Sequence, residues 1–147
     1  DVAAKAAANP GYQLTPDDIR AWEGKWGRLP RRSCVAMHSG WEAHAQSARY
    51  VGKDERGTFH FPGIHPEATA MLLKERQVVG LAVDTLSLDH GPSKDFKTHY
   101  TWLPSGRWGL ENVASLDKVP AAGATLVVGA PKVKDATGGI TRLFALV

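Results

Sequence analysis

The apolar residues along the chain are spaced partly at helical and partly at strand-like intervals. A helix is predicted to begin after Thr15, because threonine is a good N-cap and Pro16 suits the first helical position. Ile19, Trp22 and Trp26 follow at helical spacing and predict one apolar stripe. The glycine after this stripe is expected to end the helix.

Short apolar runs elsewhere predict β-strands. The run at residues 78–83 is continuous and β-branched, which is typical of a buried strand in a parallel or mixed sheet. Because helical and strand-like segments alternate along the chain, an α/β domain is predicted. The remaining predicted elements are strands at residues 34–37, 108–112, 124–130 and 141–147, and helices at about residues 66–76 and 96–103.

Residues 41–64 follow neither period and form a long predicted loop. The segment contains tryptophan, tyrosine, phenylalanine and histidine side chains among polar ones. Loops of this length are usually functional or disordered, and this one has too many aromatic residues for disorder. A functional role is therefore predicted for the loop.

Length and composition narrow the class of protein. The chain has 147 residues, of which 43% are hydrophobic, and this is enough for one domain with a core. No apolar run reaches the ~18 residues of a membrane span, so no membrane association is expected. The first residues do not resemble a signal peptide, and a cytoplasmic protein is expected, with an earlier, removed signal left open. The single cysteine, Cys34, excludes an internal disulfide and lies in an apolar stretch that favours a packed thiol.

The net charge of +3 is modest. Basic residues are densest at residues 20–32, but Glu23 interrupts them, and no aromatic-spaced basic strand or zinc-finger spacing is present. A nucleic-acid partner is therefore not expected.

Six histidines are unusually many for this length, and neutral imidazole is a common metal ligand and general base. Their spacing matches no helical zinc motif, and a histidine taken alone is more often a surface or hydrogen-bonded core residue than a ligand. The sequence also lacks the serine-hydrolase elbow, the phosphate-binding loop and the dinucleotide fingerprint.

Four segments in order resemble a known family. They are FPGIHPEA at residues 61–68, VGLAVDTLSLD at residues 79–89, Asp95-Phe96 with His99, and LENV at residues 110–113. Together they resemble the cyclase-type metal-dependent hydrolases, which include bacterial kynurenine formamidase and isatin hydrolase. The resemblance covers nearly the whole chain from about Leu14 onward.

The resemblance implies a swivelling β/β/α domain, with a mixed sheet flanked by helices, of which residues 1–147 would be the C-terminal portion. It implies hydrolysis of an amide or lactam C–N bond in a small molecule, such as an arylformamide or isatin, by metal-activated water. His99 and Glu111 match the family's later pair of metal ligands, and the metal would be zinc or manganese. A surface histidine and an ordinary acid are the alternative for this pair.

The chain departs from the family in one large respect. The family's HxGTHxDxPxH motif, which carries the other ligands and the general base, is absent. No catalytic base is therefore assigned to this chain, and the motif is expected on an N-terminal segment or a second chain. A homo-oligomer is also expected. The alternative function is a non-catalytic binding or scaffold protein on the same fold.

Several other residues are candidate substrate contacts, each with a structural alternative. Ser87 either hydrogen-bonds substrate or is an ordinary turn serine, and the aromatic candidates either form a wall of the pocket or pack in the core. Asp84 and Asp89 are interpreted as turn formers or as residues that support the ligands. The candidate substrate contacts are His38, Trp41, Phe61, Ser87 and Trp102.

Overall fold

The computed structural model describes residues 1–147, which form two compact units, Asp1–Leu116 and Asp117–Val147. The helices are α1 (Ala3–Ala8), α2 (Pro16–Trp26), α3 (Pro66–Lys74) and α4 (Lys97–Trp102). The strands are β1 (Gln13–Leu14), β2 (Cys34–Met37), β3 (Gly63–Ile64), β4 (Gly80–Val83), β5 (Trp108–Leu110), β6 (Thr125–Gly129) and β7 (Arg142–Leu146).

The larger unit is built on parallel strands. β4 lies between β2 and β5 in a three-stranded sheet, with Gly80 opposite Cys34 on one side and Trp108 on the other. β1 and β3 form a second, two-stranded parallel sheet. Every residue of β4 is buried, as the continuous apolar run predicts.

The core of this unit contains buried residues from both parallel sheets and from helices α2, α3 and α4. Trp102 of α4 is fully buried there, and its indole N–H donates to the carbonyl of Trp108 at 2.8 Å. Other members of the core include Met37, Ile64, Leu72, Leu81, Val83 and Leu88.

Helix α2 begins as the sequence predicts. The Thr15 hydroxyl accepts from the backbone N–H of Asp18, whose carboxylate accepts from the N–H of Thr15, so the two form a capping box. The predicted apolar stripe is only partly correct. Ile19 is buried, whereas Trp26, in the last turn of the helix, is 49% exposed.

Glu23 of α2 and Arg76, just after α3, form a well-shielded ion pair. The two guanidinium hydrogen bonds measure 2.7 and 2.9 Å, and they hold the pKa of Glu23 below its usual value. We expect Arg76→Ala to lower the free energy of unfolding by about 2 kcal/mol at pH 7. A carboxylate whose pKa is lowered by folding stabilises above its unfolded value and loses that contribution on acidification.

The difference between wild type and Arg76→Ala should therefore shrink as the pH falls below about 4.5, the ordinary value for Glu23. Urea unfolding at pH 7 and pH 4 measures both quantities. Arg20→Ala is the control, since its pair with Asp17 is exposed and should contribute less than about 0.5 kcal/mol. A pH-independent effect of Arg76→Ala would contradict the assignment.

Three short elements are not predicted from the sequence. Helix α1 has six residues, and the N–H of Val2 before it donates to the carbonyl of His38. Strands β1 and β3 have two residues each and pair only with one another. All three depend on contacts between distant parts of the chain, which a local period does not record.

The smaller unit contains the antiparallel pair β6 and β7, slightly shorter than the two predicted strands. Val127, Phe144 and Leu146 lie on one exposed face of this hairpin.

The α/β prediction is confirmed, with parallel and antiparallel pairing in separate sheets. That residues 1–147 are part of a single domain stays a prediction. No helix is long and apolar enough to cross a membrane.

Candidate metal site

The two predicted ligands meet where the parallel sheet ends. His99 lies in α4, and Glu111 directly follows β5. Nε2 of His99 is 3.2 Å from Oε1 of Glu111. That oxygen also accepts a hydrogen bond of 3.1 Å from the backbone N–H of Leu88, in the loop after β4. The two side chains therefore converge, although they are twelve residues apart in sequence.

Asp89 holds His99 from the other side. Its carboxylate is buried and lies 2.6 Å from Nδ1 of His99. It also accepts from the backbone N–H groups of Thr98 and His99 at 2.8 and 3.1 Å. Burial acts to raise the pKa of Asp89, but these hydrogen bonds outweigh it and the pKa is lowered.

The two carboxylates strongly affect His99. Its hydrogen bond with Asp89, and to a smaller extent that with Glu111, raises the pKa of the imidazole to about 9. Without a metal, the imidazole is therefore protonated on both nitrogens and positively charged at neutral pH. A metal ion at Nε2 would replace the proton on that nitrogen, and Nδ1–H would continue to donate to Asp89.

This geometry fits two ligands of one ion. Two donors that each lie about 2.0–2.2 Å from a metal, at tetrahedral or octahedral angles, are separated by about 2.8–3.6 Å. The distance of 3.2 Å between His99 and Glu111 falls within that interval. An imidazole whose second nitrogen faces a carboxylate is also the usual arrangement of a metal-bound histidine.

The side chains of this chain do not form a complete coordination sphere. No group of three or more histidine, cysteine, aspartate or glutamate side chains in residues 1–147 is arranged to hold an ion. Two ligands give weak binding, because affinity comes from several preorganised donors.

Two of the predicted substrate contacts lie on the segment after β2. Trp41 is buried, its backbone N–H donates to Asp84 at 3.0 Å, and its indole donates to the carbonyl of Tyr50 at 2.9 Å. Nδ1 of His38 is 3.4 Å from a carboxylate oxygen of Asp1. These contacts join Trp41 and His38 to other parts of the chain, and none of them involves His99 or Glu111.

The other three candidates lie in different surroundings. Phe61 is buried, with its ring centroid 6.2 Å from that of Phe59. Trp102 has no exposed surface and packs in the core, as the structural alternative describes, and its role as a substrate contact stays a prediction. Ser87 is half-buried beside the site, one residue before Leu88, and its carbonyl accepts from the Thr85 hydroxyl.

Two further contacts involve residues to which the sequence assigns neither a catalytic nor a substrate-binding role. The Tyr50 hydroxyl lies 2.9 Å from Oδ1 of Asn112, the residue after Glu111. Asp84, interpreted from the sequence as a turn former or support, is a buried carboxylate that accepts from the Ser39 hydroxyl at 2.6 Å and from the backbone of Trp41. The aromatic content of the loop was the one available signal for Tyr50.

Cys34 offers no alternative nucleophile. Burial raises the pKa of its thiol to about 12, so the thiolate is scarce at neutral pH.

Known proteins resemble this chain over its whole length. An isatin hydrolase of Roseibium aggregatum is 34% identical over 152 residues, covering 100% of this chain and 57% of that protein. The crystal structure of an isatin hydrolase bound to the product analogue thioisatinate superposes with a TM-score of 0.92 at 33% identity, over 100% of this chain and 57% of that one. Isatin hydrolase A from Ralstonia solanacearum gives a TM-score of 0.94 at 29% identity, over 99% and 57% of the two chains.

The chain thus spans a little more than half the length of these relatives. Their likeness confirms the α/β architecture. The "Putative cyclase" family matches residues 1–90, which is more than half of the sequence. The predicted relationship is therefore confirmed, and the chain belongs to the cyclase family.

Proposed function

We propose that this chain is part of a metal-dependent hydrolase that cleaves an amide or lactam C–N bond in an isatin- or arylformamide-like molecule. The observation that carries the proposal is the convergence of His99 and Glu111, with Asp89 behind the imidazole. The isatin hydrolases among the relatives support the choice of reaction and substrate class.

In this proposal Nε2 of His99 and a carboxylate oxygen of Glu111 hold zinc or manganese. When bound, such an ion polarises a carbonyl group and lowers the pKa of water. Asp89 accepts a hydrogen bond from Nδ1–H of His99, which would leave the lone pair of Nε2 available to the ion. The N–H of Leu88 fixes the near oxygen of Glu111.

The remaining ligands and the general base must come from other residues. We propose that they belong to a polypeptide carrying the HxGTHxDxPxH motif, either an N-terminal segment or a second chain. The relatives are long enough to include such a segment, since this chain covers 57% of them. We further propose that the assembled protein is a cytoplasmic homo-oligomer and that its substrate is a small molecule.

Metal content and hydrolysis of the chain assembled with that polypeptide test the proposal. We expect zinc or manganese to co-purify and isatin or formanilide to be hydrolysed. His99→Asn should lower metal affinity at least about 10-fold. His60→Asn is a matched control, because Nε2 of His60 also faces an aspartate, Asp54, at 2.9 Å but lies elsewhere.

Full metal content and activity in His99→Asn would refute the ligand assignment. An assembly that binds no metal and hydrolyses neither compound would favour the non-catalytic binding or scaffold protein instead.

A further inference from the structure

The backbone turns sharply directly after Glu111. Asn112 has a φ of 57°, in the left-handed region that asparagine tolerates better than most residues. Its N–H donates to the carbonyl of Thr85 at 2.8 Å, and the N–H of Val113 donates to that of Val83 at 3.0 Å. The end of β5 is thereby tied to the end of β4, and this turn sets where the Glu111 side chain begins.

Tyr50 reaches this turn from the long loop. Its hydroxyl lies 2.9 Å from Oδ1 of Asn112 and 3.2 Å from the carbonyl oxygen of Asp84. The loop is itself held in place, since the carbonyl of Tyr50 accepts from the buried indole of Trp41. The hydroxyl therefore links the turn after Glu111 to the end of β4 through a fixed support.

A second contact joins the same segments. Oε2 of Glu42 accepts from the backbone N–H of Ser115 at 2.5 Å, and Ser115 is also left-handed, with a φ of 61°. Tyr50 thus contacts Asn112 and Glu42 contacts Ser115, so the long loop contacts each of these two left-handed residues after Glu111. Non-glycine residues hold this conformation when surrounding contacts enforce it.

We propose that Tyr50 is a positioning residue for Glu111. By holding Asn112, its hydroxyl fixes the backbone from which the Glu111 side chain projects, and so keeps Oε1 near both Leu88 and His99. This inference rests on the proposed function, in which Glu111 is a metal ligand. Ligands held in place before the ion arrives bind it more tightly than mobile ones.

The backbone amide of Leu88 reports the position of Glu111 without any metal, because it donates to Oε1. We expect Tyr50→Phe to shift the NMR signal of this amide and to accelerate its hydrogen exchange several-fold in the metal-free chain. Metal affinity of the assembled protein should fall about 10-fold or more. Tyr12→Phe is the matched control, since that hydroxyl donates to Asp18 at 2.8 Å outside the site.

Asn112→Gly tests the same link from the other side. Glycine accepts the positive φ but lacks the oxygen that Tyr50 contacts. The variant should change the Leu88 amide as Tyr50→Phe does, and the double variant should change it no further.

An unchanged Leu88 amide in both variants would overturn the proposal, even if their Tm fell, because Tyr50 would then only fasten the loop. If the Leu88 amide changes in Tyr50→Phe and Asn112→Gly while His99→Asn keeps full metal binding, the positioning of Glu111 is supported and the proposed function is refuted. The two ideas therefore fail separately.

Discussion

Glu111→Gln should reduce bound metal and hydrolysis 10- to 100-fold or more in the assembled protein, while the free energy of unfolding changes by less than about 1.5 kcal/mol. An amide is a poor metal ligand, but its volume matches that of the carboxyl group. Its oxygen can still accept the hydrogen bond that Leu88 donates to Glu111. Metal content, hydrolysis and urea unfolding, measured on one preparation, separate these effects.

Added metal should restore part of the activity of Glu111→Gln, because occupancy is the property that the substitution removes. Glu55→Gln, at an exposed position in the long loop, is the control and should leave both properties unchanged. Unchanged metal stoichiometry with full activity in Glu111→Gln would remove Glu111 from the site and weaken the case for His99.

Gly63→Ala should lower the free energy of unfolding by about 3 kcal/mol, near the upper end for overpacking. A Cβ at Gly63 would lie 2.2 Å from the backbone nitrogen of His90 and 2.4 Å from the carbonyl carbon of Asp89. These are main-chain atoms, which cannot move aside as a flexible side chain can. Because the displaced residue is the one that holds His99, metal affinity should fall as well.

Urea unfolding and metal titration of Gly63→Ala measure both effects. Gly24→Ala is an instructive control, since a Cβ there meets nothing within 4 Å and Gly24 lies within helix α2. Alanine is the better helix former, so this variant should gain up to about 1 kcal/mol. If Gly63→Ala were as stable as wild type, the close approach of Gly63 to the backbone of Asp89 and His90 would not be maintained in solution.

Much of the fold is predictable from local signals. The capping residues at Thr15 predict α2, and the continuous apolar run predicts the central strand β4. The strands of the hairpin β6–β7 are predicted to within one residue at each end. The cap of α2 is made by neighbouring residues, so a local pattern suffices there. The strands pair with distant segments, but their own apolar runs are local patterns and predict their existence.

Other features depend on distant contacts and have no local signal. Trp26 continues the helical stripe of Ile19 but lies in the last turn, beyond the part of α2 that the core covers. Strands β1 and β3 are too short for a period to show.

The candidate site shows the same division. The pairing of His99 with Glu111 comes from the resemblance to the family, since their spacing alone indicates nothing, and the structure brings them to 3.2 Å. Asp89 is one of two acids interpreted from the sequence as turn formers or supports. The contact of Tyr50 with Asn112 spans 62 positions and becomes visible only when the fold is known.

The parallel pairing of the larger unit governs how fast the protein can reach its folded state. Gln13 pairs with Gly63, and Cys34 with Gly80, so each sheet forms only after long stretches of chain have closed. Loop closure precedes the contacts that stabilise it, and folding rates fall as contacts become less local. The β6–β7 hairpin needs one short closure and can form within microseconds. Refolding of the larger unit should therefore be slower than that of an all-helical domain of the same length, with sheet assembly as its limiting step.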